Sequence, residues 1–366
     1  ARSMSLAAAR VPGAARHLRA RHPRGHRGFT PAPSAAHLLG LCLSARAMSA
    51  AAAATAPASG PVAELNDGRR MPLLGLGTWK SKPGEVKAAV AHALRSGYRH
   101  VDCAAVYKNE AEVGEAIAEA LEAGVCARKD LWVTSKLWNS EHAEEAVPKA
   151  LDRTLQDLRL EYVDLYLVHW PVTGVEAPTL TPPMDETWRA MEGVQQAGKA
   201  RSIGVSNFSA KKLDALCAQA RVKPAVNQVE LHPGWRQDAL LAACAAMGVH
   251  VTAYSPLGTP DSATMLKREG PPLMDHPAVR EAAELAGKTP AQVLIRWALE
   301  RGTSVIPKSV SPVRIDANLD VLSWTLPEAA KARLNAVEPQ QRLVSGRFWL
   351  KPGGPYRTLE DLWDGE

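Results

Sequence analysis

Cysteine is scarce in this 366-residue chain, and the five present, Cys42, Cys103, Cys126, Cys217 and Cys244, are odd in number and widely spaced. With no C-x-x-C pair, a disulfide scaffold and a thiolate metal site both drop out, and free thiols in a reducing compartment are expected. Histidine offers no metal site either, since His232 and His250 have no partner at ligand spacing. No apolar run approaches the roughly 18 residues of a membrane span. A basic stripe interleaved with aromatic residues is also missing, so nucleic acid is not an expected partner. Nor is there a phosphate-binding G-x-G-x-x-G. Only Gly75-x-Gly77 occurs, followed by Thr78 and Trp79, which excludes the doubly wound dinucleotide fold.

Acid is absent from the first 63 residues, which carry eight arginines. The chain's net charge is +6, so taking those eight away leaves −2 for the rest. An Ala-, Arg-, Ser- and Pro-rich stretch without acid has the composition of an organelle transit peptide. Residues 1–63 are therefore expected to be a disordered leader outside the chemistry, and residues 64–366 the working domain. A second reading starts translation at Met48, which opens an Ala-rich run. The first reading puts the protein in a plastid or mitochondrion, the second in the cytosol.

What is present is an alternation of strand and helix. Apolar or β-branched runs fall near 73–77, 99–103, 131–136, 163–169, 201–206, 226–230, 249–254 and 303–307. Several are continuous, as strands buried on both faces should be. Between them lie period-3.6 segments with clear ends. Pro83 opens one whose Val86, Val90, Ala93 and Leu94 share a face before Gly97. A second sets Val113, Ile117, Ala120 and Leu121 inward before Gly124. Ser209 is placed to cap a later helix, and Gly248 and Gly302 to close two more. Eight such alternations in one domain predict an α/β fold, the (β/α)₈ TIM barrel. Asn66-Asp67-Gly68 predicts a β-hairpin that caps its bottom.

Three of these runs end in reactive side chains. Asp102 and Lys136 are 34 residues apart, and Lys136 and His169 are 33 apart, about one strand-plus-helix unit. Polar residues at the carboxyl ends of parallel barrel strands converge on one rim, and Tyr107 follows the first of these ends by five residues. A phenol with an ordinary pKa of about 10 is a poor proton donor at neutral pH. An ammonium beside it is expected to lower that pKa, and a carboxylate to keep the ammonium charged and aimed. Tyr107 is thus the expected general acid, Lys136 its tuner, Asp102 the orienter of Lys136, and His169 a donor to a substrate carbonyl.

Gly75-Leu76-Gly77-Thr78-Trp79, Asp102 to Tyr107, Leu165 to Trp170, Gly204 to Phe208 and Ile306-Pro307-Lys308-Ser309 together resemble the motifs of the aldo-keto reductases. They do so in order and spacing from about residue 64 to the end. Arg201 to Ser206 and the tail from Gly354 to Glu366 look most like plant members. The resemblance implies a C-terminal loop over the rim and NADPH-dependent reduction of aldehydes and some ketones. It assigns Ser206, Asn207 and Gln228 to the nicotinamide carboxamide and Tyr254 to stacking on the ring. It sets Ser255 to Gly258, Leu257 included, under the pyrophosphate, and counts Thr78 and Trp79 among the cofactor contacts. Lys308, Ser309 and Arg314 surround a helix start that would hold the 2′-phosphate. Asn318 matches the residue near the adenine. The acid expected just before it is replaced by Ala317, with Asp316 one step back.

Trp79 and Trp170 resemble the family's aromatic pocket walls, and with His169 they would face the substrate. Short segments after His169 and over 258–275 predict an open mouth and broad use of small carbonyl compounds by a monomer. The competing reading from another class is a cofactor-binding barrel with a regulatory or structural role. A hydrolytic barrel would need paired carboxylates or metal ligands at the strand ends, and none are there.

Overall fold

A computed structural model describes residues 60–175, 177–260 and 271–366. Most of the expected leader and part of the 258–275 segment lie outside these residues. The hairpin comes first. Strands β1 (Val62–Glu64) and β2 (Arg70–Pro72) pair antiparallel, Ala63 opposite Met71, so Val62 and Ala63 belong to β1. Leu65 and Met71 pack on Trp132, Leu165, Leu167 and Val226. The Asn66 amide donates to the Pro224 carbonyl at 2.9 Å. Two apolar side chains plug the barrel floor, each worth about 1.5–3 kcal/mol when fully buried.

Eight parallel strands come next: β3 (Leu76–Gly77), β4 (His100–Asp102), β5 (Trp132–Leu137), β6 (Val163–Val168), β7 (Ala200–Ser206), β8 (Val226–Glu230), β9 (His250–Tyr254) and β10 (Ser304–Val305). Each pairs with the next in chain order. The ring closes where Leu74 bridges Val305 and Gly77 bridges Lys308, both in parallel. Gly77 is required at that seam, because a Cβ there would lie 2.8 Å from the Ile306 carbonyl oxygen. Every residue of β5 and β6 is buried, Thr134, Ser135, Lys136 and Asp164 included, and the apolar residues between them make both strands legible in the sequence.

The helices between them start and stop where local chemistry directs. Helix α1 (Glu85–Ser96) buries Val86, Val90, Ala93 and Leu94, and Gly97 ends it at φ 109°, a left-handed conformation that suits glycine. Helix α2 (Glu110–Glu122) buries Val113, Ile117 and Ala120. After α3 (Ala146–Leu158) and α4 (Met184–Gln196) comes α5 (Ala210–Gln219), whose N-cap Ser209 accepts from Lys212 N. Gly248 ends α6 (Asp238–Met247). Beyond α7 (Pro277–Ala286), α8 (Pro290–Glu300) opens on a Thr289–Gln292 capping box. Helix α9 (Pro312–Leu319) follows β10, and α10 (Glu328–Asn335) packs against α7 and α8.

The tail then crosses the carboxyl rim and ends in α11 (Leu359–Trp363). Its hold is polar and aromatic. Tyr356 Oη donates to the Pro171 carbonyl at 2.8 Å and Trp363 Nε1 to the Ser345 carbonyl at 2.7 Å, while Trp170, Val172, Val344, Leu362 and Trp363 form a separate small core. Short rim loops alone predicted an open mouth. The tail instead supplies a wall.

Candidate active site

Asp102 ends β4, Lys136 is the next-to-last residue of β5, and His169 follows β6. Tyr107 completes a single 3₁₀ turn, Ala105–Tyr107, with Tyr107 N bonded to the Ala104 carbonyl at 2.9 Å. The turn brings the phenol back over the strand ends. Lys136 is fully buried, and its Nζ reaches Asp102 Oδ1 at 2.6 Å, the Cys103 carbonyl at 2.8 Å and Tyr107 Oη at 3.4 Å. An ammonium has three N–H donors, and all three have an acceptor. Asp102 Oδ2 accepts from Gln228 Nε2 at 2.7 Å, so neither carboxylate oxygen is left bare. The expected group of four is one contiguous cluster.

One expectation about it is corrected. Burial pushes the Tyr107 phenol up to about 12, with the Lys136 ammonium pulling the other way and Asp102 adding to the rise. The ammonium acts in the expected direction, but loss of solvent outweighs it. Burial would also lower the Lys136 pKa, yet the Asp102 carboxylate and the phenol more than offset it and hold Lys136 above its ordinary value. His169 is held well below its ordinary value, first by burial and then by the Lys136 charge. Its imidazole is therefore neutral at pH 7, and its Nδ1 is buried without a partner.

Strand ends seven to nine interlock beside this cluster. Ser206 Oγ donates to the Gln228 carbonyl at 2.8 Å, Asn207 Nδ2 to the His169 carbonyl at 2.9 Å, and Tyr254 Oη to Asn207 Oδ1 at 2.7 Å. Asn207 adopts φ 64°, a left-handed conformation that asparagine tolerates better than most residues. Thr78 Oγ1 donates to the Asp102 carbonyl at 2.8 Å, which ties β3 to β4 at the rim.

A cavity of 410 Å³ opens over these groups. Thr78, Trp79, Asp102, Tyr107, His169, Trp170, Ser206, Asn207, Gln228, Tyr254, Ser255, Leu257 and Lys308 line it. The Tyr107 and His169 rings meet edge to face at 5.9 Å, and Trp138 meets His169 at 5.3 Å. A neighbouring cavity of 1040 Å³ is lined by Lys308, Ser309, Arg314 and Asn318. Leu257, Pro260 and Lys308 border both, so every residue expected to touch cofactor or substrate, Gly258 excepted, lines one of two adjoining spaces. Ser311 N–H donates to Ser309 Oγ at 3.2 Å as the chain enters α9. Asp316 does not reach the second cavity, since it bonds His92 and Ser96 of α1 instead. Ala317 lines that cavity, and the missing acid is not replaced from Asp316.

Several lining residues escaped the sequence reading. Trp138 lies two residues beyond Lys136, and that strand-end position could have betrayed it. Val344 and Phe348 of the tail line the first cavity, and Arg280, Glu284 and Lys288 the second. Thr259 Oγ1, on the first cavity, is buried without a partner. Among the described residues no group of three or more His, Cys, Asp or Glu could hold a metal ion, and no helix among them is long and apolar enough to cross a membrane.

Comparison with known proteins agrees with this architecture. Residues 73–339 match the model of the Aldo/keto reductase family. An aldo/keto reductase of Synechocystis is 46% identical over 312 residues, covering 82% of this chain and 95% of the relative. Aldo-keto reductase family 4 member C11 of Arabidopsis thaliana is 46% identical over 311 residues, covering 83% and 97%. Among solved structures, the Bombyx mori aldo-keto reductase in complex with NADP superposes with a TM-score of 0.73 at 38% identity, covering 80% of this chain and 97% of that one. The aldose reductase of Schistosoma japonicum gives 0.70 at 40% identity, covering 81% and 98%.

Proposed function

Because the chain belongs to the aldo/keto reductase family, a family of oxidoreductases, we propose that it is an NADPH-dependent reductase of aldehydes and some ketones. The observation that carries this reading is the Asp102–Lys136–Tyr107 relay on the wall of a cavity that adjoins a second, cation-lined one. Reduced NADP, when bound, supplies a hydride. The donors suit such a group. Lys308, Arg314 and the first turn of α9, whose leading N–H groups have no helical acceptor, would hold the 2′-phosphate. Asn318 would lie by the adenine, Ser255, Leu257 and the backbone to Gly258 along the pyrophosphate, and Ser206, Asn207 and Gln228 at the carboxamide. Tyr254, with Thr78 and Trp79, would flank the nicotinamide.

The chain's own part is to orient a carbonyl and give it a proton. A carbonyl oxygen between Tyr107 and His169 would take a hydrogen bond from the neutral imidazole and the proton of the phenol. With its pKa near 12, Tyr107 is protonated at neutral pH but a weak acid, so the Lys136 ammonium is needed to help it give up the proton. Lys136 then stabilises the phenolate left behind, and Asp102, itself held by Gln228, keeps the ammonium in place. Trp79, Trp138 and Trp170 provide an apolar wall for the rest of the substrate. The reading is of a monomer acting on small carbonyl compounds. The same reading leaves the stretch before β1 as a leader that routes the barrel to an organelle, or residues 1–47 as sequence upstream of a start at Met48.

The test is NADPH oxidation, followed by loss of nicotinamide absorbance, across a panel of aldehydes, sugars and ketones. Aldehydes should be reduced with NADPH far better than with NADH. Tight NADPH binding with no turnover of any carbonyl would favour the non-catalytic cofactor-binding barrel.

A further inference from the structure

Glu230 is the last residue of β8, two residues beyond Gln228, and is 1% exposed. A carboxylate there must have its oxygens occupied, because a buried charge without hydrogen bonds is strongly unfavourable. Its partners come from the tail. Oε1 accepts from Leu343 N at 2.8 Å and Oε2 from Val344 N at 2.7 Å. His232, also buried, comes within 2.9 Å of Oε1 through Nε2. Arg342, immediately before, has its guanidinium over the Trp235 and Trp363 rings, at 4.7 and 3.4 Å from their centroids. The chain thus enters the rim at residues 342–344 on one carboxylate, 114 residues away in sequence.

Beyond that anchor lies the distal wall of the first cavity, to which Val344 and Phe348 contribute. Phe348 is 55% exposed and rests edge to face on Trp170 at 5.6 Å. Phe348 has little burial of its own to hold it, so its place depends on where the segment leaves Glu230. Gly346 marks the other constraint. It adopts φ 74°, and a Cβ there would lie 2.6 Å from Leu362 and 3.2 Å from Trp170.

We propose that Glu230 is a specificity-determining positioning residue, which sets the width of the substrate pocket by fixing Val344 and Phe348 through two backbone N–H groups. It touches neither substrate nor cofactor and takes no part in proton transfer. The inference rests on the reductase reading of this site. It concerns the far end of the carbonyl substrate, beyond the reach of a two- or three-carbon aldehyde. Aldehydes long enough to touch Val344 and Phe348 gain from the anchored wall, and short ones do not.

The test is Glu230→Gln, which keeps the shape but turns an N–H₂ toward one of the two tail N–H groups. KM and kcat are measured for a short and a long aromatic aldehyde, with NADPH affinity by tryptophan quenching. The expected result is a KM for the long aldehyde raised roughly tenfold, in line with pocket-contact discrimination of ~10–200-fold, with its kcat little changed. The short aldehyde and NADPH should shift less than about twofold, well under the factor of ten that 1.4 kcal/mol represents. Leu343→Pro removes a donor from the tail side, leaves β8 intact and should show the same split, which keeps the test sound if Glu230→Gln fails to fold. In a double-mutant cycle with Phe348→Ala, the two losses for the long aldehyde should not add. Equal loss for both aldehydes, unchanged KM for the long one in both anchor variants, or strict additivity with Phe348→Ala would each overturn the proposal. A wild-type protein that reduces no carbonyl would instead overturn the reductase reading itself.

Discussion

Replacing Lys136 by methionine separates what the ion pair does for the fold from what it does for catalysis. The Lys136 side chain is 0% exposed and that of Asp102 2% exposed, with 2.6 Å between them. Removing the ammonium leaves a buried carboxylate with only the Gln228 amide on its second oxygen. Breaking one side of such a pair costs about 3–5 kcal/mol. At ~2–4 °C per kcal/mol for a chain of this class, the melting temperature should fall by about 10 °C. Asp102→Asn with Lys136→Met removes both charges and should recover most of that loss. Turnover should not recover. At 3.4 Å from Tyr107 Oη, the ammonium stabilises a phenolate by about 5 kcal/mol at an effective dielectric constant of ~20, so both variants should be down by ~10²–10⁴-fold. Because the Lys136 pKa is raised above 10.5, its contribution to stability is complete at neutral pH. It is lost only as the pH climbs through the folded-state value, so melting should be followed at pH 7. The assay pairs thermal melts with single-turnover NADPH oxidation for both variants. If the double variant regains turnover along with stability, Lys136 serves the fold alone and the proton relay is wrong.

Tyr107→Phe should bind NADPH as the wild type does by tryptophan quenching, and lose ~10²–10⁴-fold in single-turnover reduction if the phenol is the proton donor. Glu110 is buried against Ser135 and Thr154, and burial raises its carboxyl from 4.5 to about 7. The folded state therefore holds a proton that the unfolded state releases. That contribution is whole below about pH 4.5 and fades as pH rises through about 7, by roughly 3 kcal/mol at 1.36 kcal/mol per unit, and urea melts of Glu110→Gln should lack the slope. Arg314→Ala should weaken NADPH binding by ~10-fold or more, since a charge-assisted bond contributes about 1.5–3 kcal/mol, and leave NADH nearly untouched. The gap should narrow with added salt, and equal losses for both cofactors would move Arg314 off the 2′-phosphate.

The parts of this protein that were legible in the sequence are those whose physics is local. β5 and β6 are buried on both faces, so Trp132–Leu137 and Val163–Val168 are rich in apolar residues, and their ends marked Lys136 and His169. Gly97, Ser209 and Gly248 report the backbone at their own positions. The rest depended on distance or on solvent. Whether a phenol beside an ammonium titrates low or high depends on how much water reaches it. At Tyr107 burial reversed the expected sign, which no local pattern carries. The tail has neither helical nor strand period between 337 and 350. Its first hold on the rim is a carboxylate on β8, and a contact 114 residues long leaves no periodicity to read. Nothing in the local sequence marks Phe348 as part of the pocket, which it lines. The candidate site of this barrel was therefore readable at the strand ends, where similar units deliver their side chains to one rim. The far wall of the pocket was not, because Val344 and Phe348 come from the one segment that belongs to no unit.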